Sequence, residues 1–161
     1  MGGLSAEQRS FRTASDRWSI ADCVEHLAIV ENNILKSIET HLERPAAPET
    51  STAGKDELIL NNVPNRSIRV KGPDAVMPVG RWPDFDDLLR EFEAARHRTL
   101  GFAETAEADL RAHAFPHPFL GPLDCHQWLL FLATHCERHV RQIEEVKSDP
   151  AFPARTGSAL A

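Results

Sequence analysis

"THCERHVRQIEEV", Thr134 to Val146, places two histidines four positions apart, His135 and His139. On an α-helix that spacing sets the two rings about 40° apart around the axis and about 6 Å apart along it. Trp128, Leu132, Ile143 and Val146 fall on the same stripe, so both imidazoles occupy positions where an amphipathic helix turns apolar side chains toward a core. Burying two imidazoles there costs free energy unless each finds a partner. A divalent cation is an efficient partner, because both rings can offer a neutral nitrogen to one ion. Two solvated or hydrogen-bonded histidines are the alternative, and HxxxH alone does not separate the readings.

Asp124 stands where an N-cap is needed and Gln127 follows three residues later, the pattern of a capping box. A helix is therefore expected from about Cys125 to Lys147. It is preceded by "HPFLGP" (His117 to Pro122), a turn with two prolines and a glycine. It is followed by the breaker-rich tail 148–161. A second long helix is expected from about Ile20 to Glu43, with Ser19 as N-cap, Asp22 as its capping-box partner, and Val24, Leu27, Glu31, Ile34, Ile38 and Leu42 recurring at helical spacing. A third starts at Pro83 and Asp84, with a stripe of Phe85, Leu88, Leu89, Phe92, Ala95, Thr99, Leu100 and Ala103. "LSAEQRSF" (Leu4 to Phe11) has room for two turns. The connection from Arg44 to Trp82 is rich in Pro, Asn, Ser and Thr and is long for a compact domain, which points to function. Within it "DELIL" (Asp56 to Leu60) suits one helical turn and "RSIRV" (Arg66 to Val70) a short extended piece. Nothing proposes a sheet. The expected class is all-α, a helical bundle occupying residues 1–147.

The 161 residues make one domain of ordinary size. No apolar run approaches the ~20 residues of a membrane span, and "MGGLSAEQRS" contains no signal-peptide core, so the expected compartment is the cytoplasm. A formal charge of −6 argues against a nucleic-acid partner. The three cysteines, Cys23, Cys125 and Cys136, form no CxxC and read as reduced, buried thiols.

A third metal ligand is available in His26, at the edge of the apolar stripe of the first long helix. Antiparallel packing would bring it level with the second half of the last helix. Three neutral histidines leave a tetrahedral ion one open position, the arrangement of catalytic rather than structural zinc sites. Two other metal chemistries fail on spacing. A metalloprotease HExxH needs Glu directly after the first His, where this chain has Cys136. A di-iron carboxylate bundle needs Glu three residues before a ligand His, where it has Cys23, Leu132 and Cys136.

"RWSIADCVEHL" (Arg17 to Leu27), "FDDLLREFEAAR" (Phe85 to Arg96) and "HPFLGPLDCHQWLLFLATHCERHVRQIEEV" (His117 to Val146) together resemble the DinB-like superfamily of metal-dependent hydrolases and thiol transferases. The resemblance spans about Leu4 to Val146 and is most specific in the last segment. It implies a four-helix bundle, here with a shortened N-terminal helix and a long loop between the second and third bundle helices. It assigns the metal to His26, His135 and His139; zinc or nickel is the expected ion, since imidazole suits both. It implies a small-molecule substrate, with a low-molecular-weight thiol as one candidate. The shortened first helix would leave apolar faces uncovered, from which a homodimer is expected. A non-catalytic metal-stabilised bundle, or a ligand-binding protein, is the competing expectation.

Other polar residues have ordinary readings beside functional ones. His113 and His117 are candidates for a substrate mouth or plain loop histidines. Arg96 suits an anionic substrate group or a solvated surface. Asp22 and Gln142 are candidates to orient ligand rings, Asp22 also being a cap. Cys23 and Cys136 lie near the expected ligands by periodicity, and Trp18, Trp82 and Trp128 read as packing.

Overall fold

The computed structural model describes residues 3–46 and 52–154; residues 47–51 of the long connection and 155–161 of the expected tail lie outside the described residues. Among the described residues the chain forms five α-helices: α1 (Ala6–Ser10), α2 (Ile20–Leu42), α3 (Lys55–Asn62), α4 (Phe85–Thr105) and α5 (Cys125–Lys147). The starts of the long helices follow from their caps. Ser19 and Asp22 satisfy each other's backbone amides at α2, and Asp124 and Gln127 do so at α5. Asp84 accepts from the amides of Asp86 and Asp87 at α4. Each cap satisfies amides that a helix start otherwise leaves without partners.

Helix α2 packs against both α4 and α5. Val30, Ile34 and Ile38 of α2 meet Trp128, Phe131 and Leu132 of α5 in one apolar cluster. Ile20, Cys23, Val24 and Ala28 meet Leu88 of α4 and Ile143 and Val146 of α5 in a second. The start of α2 therefore lies against the end of α5, an antiparallel pairing that carries His26 to the level of His135 and His139. The all-α bundle read from the sequence is the fold.

The shortened N-terminal helix is held by its side chains. The Arg9 guanidinium lies 4.6 Å over the Phe85 ring, Gln8 Nε2 donates to the Pro153 carbonyl at 2.8 Å, and Phe11 meets Phe152 edge-on at 5.6 Å. Leu4, Phe11, Trp18 and Phe152 thus pack on the second cluster.

Four local features differ from expectation. The "DELIL" turn is part of the two-turn helix α3, which opens at Gly54 with φ +77° and buries Ile59 completely in the first cluster. "RSIRV" forms no strand. Its surroundings are instead pinned by Arg138, which donates to the carbonyls of Val63, Asn65 and Ile68. On α4 the buried line is Leu88, Ala95, Thr99 and then the partly buried Phe102. Leu100 and Ala103 lie about 100° off that line and are exposed. Finally, "HPFLGP" is the tip of a β-hairpin, β1 (Ala114–His117) and β2 (Gly121–Asp124). Gly121, at φ +69°, supplies the left-handed residue that a three-residue hairpin loop requires. Pro116 and Pro122 face each other on the exposed side, while Phe115, His117 and Leu123 point into the core.

Candidate metal centre

His26 projects from the second turn of α2, and His135 and His139 from successive turns of α5. The Nε2 atom of His135 lies 3.2 Å from Nε2 of His26 and 3.1 Å from Nε2 of His139. The three rings thus present the same nitrogen to one point. His26 and His139 are 4% and 5% exposed, and His135 is partly exposed.

The outer nitrogens decide what the inner ones can do. His26 Nδ1 donates to the Val76 carbonyl at 2.7 Å, and His139 Nδ1 donates to Gln142 Oε1 at 3.0 Å. Each ring, when neutral, therefore turns an unprotonated Nε2 inward. His135 Nδ1 is buried with no hydrogen-bond partner among the described residues. If the His135 proton sits there, three lone pairs converge with no proton between them.

Charge on the rings is disfavoured. Burial lowers the pKa of all three. For His26 the Val76 carbonyl partly opposes that shift. His139 is pushed down to about 3, by burial and then by its neighbour His26. His135 falls well below the usual imidazole range, through burial and then through His139 and His26. Near neutral pH the trio is a set of neutral nitrogen donors, the form that divalent transition metals bind. Two nitrogens on a tetrahedral zinc ion, at bond lengths of 2.0–2.1 Å, are separated by about 3.3 Å. The two separations that involve His135 fall close to that value, and the three donor atoms all lie within 4.8 Å of one another, so the residue types and their grouping suit such an ion.

Aromatic side chains wall the trio. Trp18 stacks on His139 at 5.7 Å between ring centroids and approaches His26 at 4.8 Å. Phe131 stacks on His135 at 5.1 Å. Trp18 and Gln142 also line a cavity of about 480 Å³, within the size range of small-molecule sites.

The long connection supplies the last wall. Gly72 passes over His26: a Cβ built there would lie 4.0 Å from the ring's Cε1. A 3₁₀ turn at Asp74–Val76 then presents the Val76 carbonyl to His26. Three residues further on, the amides of Val79, Gly80 and Arg81 all donate to the Glu25 carboxylate, at 3.0, 2.9 and 3.1 Å. Glu25 is 4% exposed. Adjacent residues of α2, Glu25 and His26, thus staple this segment across the site.

Of the other residues weighed from the sequence, Gln142 contacts a trio ring as anticipated. Asp22 does not reach His26; its carboxylate caps α2 and pairs with Arg12 at 2.7 Å. Arg96 binds Glu31 at 3.0 Å between α4 and α2 and is taken up there. His117 holds the hairpin tip, its Nδ1 accepting from the amides of Phe119 and Leu120. His113 donates to the His41 carbonyl. The Cys23 thiol is fully buried in the second cluster and pushed up to about 12 by burial. Cys136 lies beside Arg96 and Glu31. Sequence reasoning missed Glu25 and Val76. Their partners lie 50 to 56 positions away along an irregular segment, and no periodic signal links such positions.

Comparison with known proteins is consistent with this geometry. A family model described as the DinB superfamily matches residues 1–143, a span that includes all three histidines. An uncharacterized protein of Bacillus subtilis (strain 168), YuaE, is 25% identical over 146 residues, covering 90% of this chain and 86% of its own length.

Proposed function

The chain belongs to the DinB superfamily, and from that premise we propose that it binds a divalent metal ion through His26, His135 and His139 and acts on a small molecule as a metal-dependent thiol transferase or hydrolase. The observation that carries the reading is the convergence of the three Nε2 atoms on one point, in a trio whose neighbours Trp18 and Gln142 also line a cavity. When bound, such an ion supplies Lewis-acid chemistry, lowering the pKa of a water or thiol that joins it toward neutrality. Zinc and nickel both suit imidazole donors.

The protein's own residues hold and shield the site. Val76 and Gln142 fix the tautomers of His26 and His139, so that their lone pairs face inward without reorganisation. Trp18 and Phe131 keep water from two ring faces. No carboxylate hydrogen-bonds to the three rings among the described residues, so proton transfer to a neighbouring acid plays no part in the proposal.

A second reading draws on the same trio. His26 and His135 are 109 positions apart, so an ion held between them would also clip α2 to α5, as a structural metal does. The fourth coordination position separates the two readings, because an open position favours catalysis. Homodimerisation belongs to the proposal as well. A monomeric mass by light scattering at micromolar concentration would reject it. Among the described residues no helix is long and apolar enough to cross a membrane, and a cytoplasmic location is proposed with the rest.

The test is elemental analysis of freshly purified protein beside His135→Ala. The expected result is close to one zinc or nickel per chain, lost in the variant. Thiol conjugation and hydrolysis of small electrophiles, with and without chelator, then divide catalysis from the structural reading. A metal-free wild-type protein would end the metal proposal.

A further inference from the structure

The cavity lined by Trp18 and Gln142 is rich in cations although the chain as a whole is acidic. The chain has a formal charge of −6, yet Arg17, Arg66 and Arg69 all line this cavity, and Glu145 is the one acidic side chain among its lining residues. Glu145 is already engaged. Its carboxylate takes two bonds from Arg66, Nε to Oε1 at 3.2 Å and Nη2 to Oε2 at 2.9 Å. Among the described residues Arg17 has one ion pair within 4.0 Å, with Asp16 at 3.7 Å, whose side chain is 79% exposed. Arg69 makes no salt bridge within 4.0 Å among the described residues. Two guanidinium groups therefore face one cavity with most of their donors uncommitted.

The cavity is tied to the three histidines through two shared walls. Trp18 lines it and stacks on His139. Gln142 lines it and accepts from both Arg66 Nη1, at 3.2 Å, and His139 Nδ1, at 3.0 Å. Arg66 is thereby fixed between Glu145 and Gln142, a preorganised guanidinium at the inner end.

We propose that this cavity is the substrate pocket and that it selects small molecules carrying a carboxylate or phosphate group. The anion docks on Arg17 and Arg69, with Arg66 behind them, and the rest of the molecule lies against Trp18, the wall that the cavity shares with His139. Guanidinium recognises both anions through paired N–H donors. The inference rests on the proposed function for what happens at the histidines, but the recognition step stands on the cavity alone.

The experiment separates the two. Purified protein, as isolated, is titrated with succinate and, separately, with inorganic phosphate, and tryptophan fluorescence is followed together with calorimetry. The proposal expects saturable binding, weakened about tenfold or more in Arg69→Ala and in Arg17→Ala, the loss expected for a charge-assisted hydrogen bond. Arg69→Lys should recover part of it. Circular dichroism melts and metal stoichiometry of the variants should match wild type. Non-saturable titration, or unchanged affinity in both alanine variants, overturns the pocket. So does binding abolished by His135→Ala but untouched by the arginine variants, because the anion would then sit on the histidines. If the arginine variants lose anion binding while no thiol conjugation or hydrolysis is ever detected, the pocket stands and the catalytic reading falls.

Discussion

Glu25→Gln is the substitution from which the architecture of the site has most to lose. The wild-type carboxylate accepts three backbone N–H groups, Val79 and Arg81 on Oε1 and Gly80 on Oε2. Glutamine keeps one acceptor oxygen, so two of these become neutral hydrogen bonds, each weaker by about 1 kcal/mol. The third faces an NH2 group with the Gly80 N–H, two donors opposed, and loses about 1.5–3 kcal/mol. Val79 is 71% exposed, so the released amides find water, which holds the total near the low end. The expected destabilisation is about 3.5 kcal/mol, or roughly 7–14 °C in Tm for a domain of this size. On the metal reading proposed above, a second effect should follow at the histidines. Val76, the acceptor for His26 Nδ1, precedes the stapled amides by three residues, and loosening an outer partner of a ligand histidine typically weakens metal binding by about 10–100-fold. Urea unfolding measures the first quantity and competition with a fluorescent chelator the second. A Glu25→Gln protein within 1 kcal/mol of wild type, holding metal as tightly, would refute the staple.

Three further outcomes are expected. Ile59→Ala, which empties the one fully buried side chain of α3, should cost about 2–5 kcal/mol in urea unfolding; a loss under 1 kcal/mol would mean that α3 does not pack as described. Gly80→Ala at φ +76° should cost about 1 kcal/mol from backbone strain alone, since nothing lies within 4 Å of the added Cβ, and unchanged stability would contradict that conformation. In metal-free protein, burial depresses His117 to about 4 and His139 to about 3. Their contribution is therefore complete above the unfolded value near 6.5 and is lost as pH falls from there toward those values, each imidazole adding a slope of up to about 1.4 kcal/mol per pH unit. His117→Asn, which keeps an acceptor for the hairpin amides, should make the decline in urea stability between pH 6.5 and 4 shallower by about one proton; an unaltered slope would count against a buried neutral His117.

What the sequence reveals depends on how far apart the interacting residues lie. The long helices are legible because caps and stripes act within a few positions, as at Ser19 with Asp22 and Asp124 with Gln127. The histidine trio is legible because two members share a helix face and the third sits on a stripe of its own. Helix α3 is harder to see. It buries Ile59 while leaving Leu58 and Leu60 exposed, and one buried residue sets no period. It is positioned by partners far along the chain: Lys55 Nζ donates to the Leu120 and Pro122 carbonyls, and Gln127 donates to Asp56. The hairpin is hidden because Pro116 and Pro122 discourage a strand reading, yet they stand directly opposite each other, and lacking N–H groups they occupy a non-hydrogen-bonded pair of the antiparallel ladder. The arginines of the cavity escape notice for a related reason. Arg17 precedes α2 while Arg66 and Arg69 belong to the irregular connection, and only the folded chain puts them together.

The distance along the chain between His26 and its two counterparts also has a consequence for biosynthesis. A ribosome must deliver almost the entire described polypeptide before the third imidazole is available. The amino-terminal ring waits alone on a nascent helix while more than a hundred residues are translated. Loading of any ion is therefore a late event, coupled to the arrival of the final helix, and the kinetics of its uptake would report when the newborn molecule has closed.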